Sequence, residues 1–131
     1  MAWKRALDQH RPEDMARLFS RDALFQGLSP LLLTGRKEIF DYFEALPPGI
    51  TATFQIIQAR QLAQNLICGF AAVRFTYPDA RTAQVRLSLV LRRDDRTWFI
   101  AQYHASRTPQ GKQPGTSALA AMMNPFAVDE P

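Results

Sequence analysis

Arg74, Tyr103 and His104 are the side chains of this 131-residue chain whose types and neighbours could do chemistry. Arg74 alternates onto one face of an apolar run with Cys68, Phe70 and Ala72. A guanidinium stays charged at physiological pH, so among such neighbours it requires an acceptor. A carboxylate from a helix would satisfy it, as buried ion pairs commonly do. The functional alternative is an anion-binding group at the floor of a pocket. His104 is of a residue type that can take up and release protons, which suits proton transfer, although a histidine here is more often a hydrogen-bonded structural group. With Tyr103 beside it, it is the catalytic candidate for polarisation and proton movement. If Arg92 lies opposite Trp98 in a hairpin, Arg86 comes close to His104 and joins the ligand-binding candidates; a bulge would undo that.

Other chemistries lack their residues. The only other histidine is His10 and the only cysteine is Cys68, too few soft ligands for a metal. No Ser, His and Asp ordering and no Gly-rich phosphate loop is present, so neither nucleophilic nor nucleotide chemistry is indicated and no cofactor is expected. Every Asp and Glu falls in an N-terminal helix or its flank, in a turn, or near the C-terminus. A strand-borne pocket base is therefore missing, although Asp8, Asp22 and Asp41 could reach inward from helices.

The formal charge of +4 is scattered, and the densest basic pair, Arg92 and Arg93, runs directly into Asp94 and Asp95, so nucleic acid is not an expected partner. A single cysteine forms no disulfide within the chain and fits a reduced setting. Without a signal-like N-terminus or a membrane-length apolar run, the expectation is a soluble cytoplasmic protein with no membrane partner.

The elements that must position these residues follow from periodicity. Ala2–Gln9 is a short helix through Trp3, Ala6 and Leu7; Pro12 opens a second, with Met15, Leu18 and Phe19 as its stripe. Ala23, Leu24 and Phe25 form a short strand, paired with Leu31–Leu33. Thr34 or Gly35 caps a helix from Arg36 to Leu46, whose Ile39, Phe40, Phe43 and Leu46 lie on apolar surface, with Phe43 facing the pocket. From Ile50 the period changes to two: Ala52, Phe54 and Ile56 share a face. After a turn at Gln64 and Asn65, Leu66–Tyr77 is apolar on both faces and should be a central strand covered on both sides. Arg81–Pro109 is a long hairpin reversing at Asp94 and Asp95, with Val85, Leu87, Leu89 and Leu91 on one face and Arg86, Ser88 and Arg92 on the other.

Helices bunched before strands give an α+β fold, an antiparallel sheet curling around N-terminal helices. Residues 1–109 form one domain. Residues 110–131 form a polar linker and tail, with a short helix at Ser117–Met123. Apolar positions on the second sheet face call for a cover, most economically a second copy, so a homodimer is expected.

Four short motifs in order, W-x-x-A-L from Trp3, L-F-x-x-D-A from Leu18, T-G-R-x-x-I-x-x-Y-F from Thr34 and W-x-I-x-x-x-H-x-S-x-x-P from Trp98, resemble the nuclear transport factor two-like, cystatin-like superfamily. Within it the chain is most similar to SnoaL-like proteins and to the calcium/calmodulin-dependent protein kinase II association domain. The resemblance implies a curved sheet forming an open cone around a first helix. It places Arg74 where the association domain has one of three pocket arginines, whereas Leu89 and Ala105 occupy the positions of the other two. The implied cavity is thus mostly apolar, lined by Leu89, Phe43, Arg74 and Tyr103. The functions to test are small-molecule binding by a homodimer, lyase, isomerase or cyclase chemistry on a small apolar carbonyl compound, and pure oligomerisation.

Overall fold

A computed structural model describes residues 2–108. Three helices, α1 (Ala2–Asp8), α2 (Pro12–Arg17) and α3 (Gly35–Ala45), pack on one face of a six-stranded sheet. The strands are β1 (Phe19–Gln26), β2 (Leu33–Thr34), β3 (Thr51–Ala63), β4 (Leu66–Thr76), β5 (Thr82–Asp94) and β6 (Thr97–Arg107). Their spatial order is β2-β1-β6-β5-β4-β3. This is the expected α+β arrangement of N-terminal helices against a largely antiparallel sheet. One pairing departs from the expectation: β1 runs parallel to β6. The expected tail helix at Ser117–Met123 lies outside the described residues.

The helices stop where their backbones must turn. α1 ends in a left-handed His10 (φ 51°), with His10 N–H donating to Leu7 C=O and Arg11 N–H to Ala6 C=O at 2.8 Å. These are the bonds of a Schellman stop, normally built on glycine. α2 starts at Pro12, whose missing N–H costs nothing at a helix start, and is shorter than the periodicity predicts. Leu18 ends it and Phe19 begins β1, because the Leu18 carbonyl accepts from Ile100 N–H on β6 at 2.7 Å. In α3, Thr34 precedes the first turn and its N–H donates to the Glu38 carboxylate at 2.8 Å.

Two turns fix the sheet register. β4 and β5 pair without interruption from Thr76 opposite Thr82 to Leu66 opposite Arg92. β5 and β6 meet across Asp95, left-handed at φ 59°, and start in register with Arg93 opposite Trp98 and Leu91 opposite Ile100. The register then slips, and Val90 lies opposite Gln102. Ala101 is the extra residue of a bulge, and beyond it the opposite set of side chains points inward.

The inner face, toward the helices, carries the core: Phe19, Ala23 and Phe25 of β1, Ala71 and Val73 of β4, Val85 and Leu87 of β5, Tyr103 and Ala105 of β6, against Trp3, Leu7, Met15, Ile39 and Phe43. Trp3 meets Phe54 and Phe75 edge-on or tilted, and Phe25 stacks on Tyr103 with centroids 4.6 Å apart. The outer face is not covered within the chain. Leu24 and Phe70 remain 52% and 51% exposed, so β4 is dry on one side only, contrary to the double coverage its composition suggests.

Candidate functional site

The helices do not fill the space against the sheet. A cavity of about 220 Å³ remains between the N-terminal end of α1 and the inner face of β3–β6. Its walls are apolar, from Trp3 and Leu18 across Phe54, Val73, Leu89 and Trp98. Tyr103 is part of that wall. The ring is 4% exposed, packed between Phe19 and Phe25, and also borders a second cavity of about 50 Å³ toward Tyr42 and Tyr77. Burial, and then the Tyr42 phenol, push the Tyr103 pKa far above that of an ordinary phenol. Tyr103 is therefore a permanent hydrogen-bond donor, and no partner holds its hydroxyl among the described residues. A second wall residue, Trp3, has its indole N–H buried without an acceptor. Two donors without acceptors in an apolar enclosure suit a neutral molecule bearing hydrogen-bond acceptors.

The sequence-derived site residues separate by face. Tyr103, Leu89 and Phe43 lie inside, with Leu89 on the larger cavity, Phe43 on the smaller and Tyr103 on both. Arg74, Arg86 and His104 are exposed on the outer face. Arg74 lies opposite Gln84 in an open groove, and the Gln84 amide oxygen accepts from its Nε at 2.8 Å. The pocket-floor placement of Arg74 is therefore corrected: the uninterrupted β4–β5 register sets it on the same side as Arg86, where water solvates the charge. His104 lies opposite Ser88 and Arg86 opposite Ser106. The Ala101 bulge decides this, since an unbroken register would turn His104 inward in place of Tyr103. Neither His104 nor Arg86 reaches the cavity.

The carboxylates expected to reach inward are engaged elsewhere. Asp8 accepts from Ala52 N–H at 3.0 Å and pairs with Lys4, tying α1 to the first residues of β3. Asp22 pairs with Arg92 at 3.1 Å, and that guanidinium holds its carboxyl below the usual range. Asp41 binds Lys37 on the surface of α3. No Asp or Glu lines either cavity, and the described residues hold no group of three or more His, Cys, Asp or Glu that could bind a metal ion.

Sequence reasoning passed over Trp3, Trp98 and Tyr42. The first two fall on a helix face and in the hairpin without a role in a site, and only the empty volume beside them gives them one. Tyr42 lies over Gly27, where an added Cβ would sit 2.4 Å from its hydroxyl oxygen. Glycine at the end of β1 is what admits the phenol.

Solved structures share this architecture. A protein from Xanthomonas campestris, provisionally assigned as a calcium/calmodulin-dependent protein kinase II association domain, is 23% identical over 82% of this chain and 81% of its own, with a TM-score of 0.69. A domain with a cystatin-like fold from Nostoc punctiforme PCC 73102 is 18% identical, covers 97% of this chain and 89% of its own, and has a TM-score of 0.75. A ketosteroid isomerase-like protein from Erwinia carotovora atroseptica is 15% identical over 82% and 90%, with a TM-score of 0.71. At these identities the likeness concerns the fold. No curated protein matches the sequence. The SnoaL-like domain family matches residues 1–110, which span the helices, the sheet and both cavities, and the chain belongs to that family.

Proposed function

We propose that this protein binds a small, mainly apolar molecule in the cavity between α1 and the sheet, and does so as a homodimer. The observation that carries the reading is the apolar volume of about 220 Å³ with Tyr103 in its wall. A cavity of roughly 150 Å³ accepts benzene, and drug-sized ligands begin near about 300 Å³. The intermediate volume suits a compound of one or two rings, or a branched chain of similar bulk. Tyr103 donates to one acceptor oxygen on it.

The enzyme reading, lyase, isomerase or cyclase chemistry on such a compound, draws on the isomerase-like neighbour. It has less support. Tyr103 can polarise a carbonyl, but the proton must be taken by a base, and no carboxylate or histidine lines the two cavities that Tyr103 borders. The dimer rests on the half-exposed Leu24 and Phe70 of the outer face, with Val90 and Cys68 between them on the sheet. A pure assembly module, as in the kinase association domain, would form larger rings.

Native mass spectrometry of freshly purified protein tests the three together. A dimer carrying a retained small molecule supports binding. Leu89→Trp, which fills the cavity, should abolish retention and leave the dimer intact. A ligand-free ring of many subunits would refute the reading.

A further inference from the structure

The cavity wall reaches toward the tip of the β5–β6 hairpin through Leu91 and Trp98. Arg93 lies opposite Trp98 in the register, and its guanidinium sits over the indole, 5.7 Å from the ring centroid. Alternation along β5 puts Arg93 on the inner side with Leu89 and Leu91. Its neighbours Arg92 and Asp94 fall on the other side, where Arg92 is paired with Asp22. No carboxylate lies within ion-pair distance of Arg93 among the described residues. The arrangement is an apolar chamber, an aromatic wall at its rim, and a planar cation held against that wall with its donors free.

We propose that the ligand is a small apolar monocarboxylic acid. Its carbon body occupies the chamber and its carboxylate stays at the mouth on the Arg93 guanidinium. The inference rests on the cavity reading above and names the ligand class. A carboxylate inside the chamber would lose its hydration with no cation to compensate, whereas at the rim it keeps part of its water and gains a bidentate, charge-assisted partner. Stacking on Trp98 restrains the guanidinium, so less freedom is lost when the acid binds. Trp98 and Tyr103 are five residues apart on β6, on the order of 15 Å along a strand. An acid that also carries an oxygen at its far end could engage both residues.

Matched probes decide the matter. Binding of 3-phenylpropanoate and its methyl ester is measured by calorimetry on the full chain, on Arg93→Gln, on Arg93→Lys and on Leu89→Trp, each checked for folding by circular dichroism. The expected result is at least tenfold tighter binding of the acid than of the ester by the unaltered protein. That preference should vanish in Arg93→Gln, return in part in Arg93→Lys, and shrink as salt is raised, while ester affinity stays the same throughout the Arg93 series. Equal affinity for the two probes, or a preference that survives Arg93→Gln, overturns the acid assignment and leaves the cavity reading standing. Failure of both probes to bind, or binding that Leu89→Trp does not weaken, overturns the cavity reading itself.

Discussion

At the scale of single residues, Tyr103 links structure and function most directly. Its buried phenol is neutral in the folded chain well beyond the pH at which an unfolded tyrosine ionises, about 10. The sign follows from that difference. Below pH 10 both states keep the proton and the contribution is constant; above it the unfolded state ionises first, so stability falls as pH rises. A series of melting temperatures from pH 8 to 11 should show this loss, and Tyr103→Phe should remove most of it while weakening an acceptor-bearing ligand by about tenfold, the worth of one hydrogen bond. Gly27 is the second such residue. Gly27→Ala drives a methyl group into the Tyr42 phenol, a strain of about 1–3 kcal/mol, to be read as a lower denaturant midpoint at unchanged slope. Sequence could nominate Tyr103 by type and place, but not its facing. One extra residue at Ala101 settles whether it or His104 looks inward, and nothing in the composition of Ile100–Ala105 announces that slip.

At the scale of elements, the helices and strands were legible wherever a period was clean. α3 and β5 show one wet and one dry side, and their observed bounds fall within a residue or two of the pattern. The bounds of β4 were legible but not its facing, because Cys68, Phe70 and Ala72 compete with Ile67, Ala71 and Val73 for the inner side. The tie hid the direction of Arg74. Counting outward from the turn after Thr76 would have broken it, since Arg74 then falls opposite Gln84 and on the side of Arg86, the polar side of β5. The end of α1 carries a prediction of its own. His10 holds a left-handed backbone that costs a side-chain-bearing residue about 1 kcal/mol. His10→Gly should therefore raise the melting temperature by a few degrees. No change would mean that the His10 side chain, which lines a small cavity with Pro12 and Leu46, offsets the backbone cost.

At the scale of the whole molecule, the two faces of the sheet have different fates. The inner face supports a hollow, and the outer one leaves Leu24 and Phe70 half in water beside Arg74, Arg86 and His104. Phe70→Asp should turn the proposed dimer into a monomer in sedimentation at micromolar concentration without changing ligand affinity, because Phe70 does not line the cavity. A dimer that survives Phe70→Asp would place its interface elsewhere. No helix of the described residues is long and apolar enough to cross a membrane.

The parallel alignment of β1 with β6 joins strands from opposite ends of the domain. Phe19 and Phe25 have no lateral neighbour on that side until Ile100 and Tyr103 have been synthesised, so a nascent chain must carry its most hydrophobic early strand unprotected through most of translation. Loop closure over such a span is slow. A chain cut before Thr97 should consequently fail to accumulate as soluble material, even though it retains α1, α2, α3 and five of the six described strands.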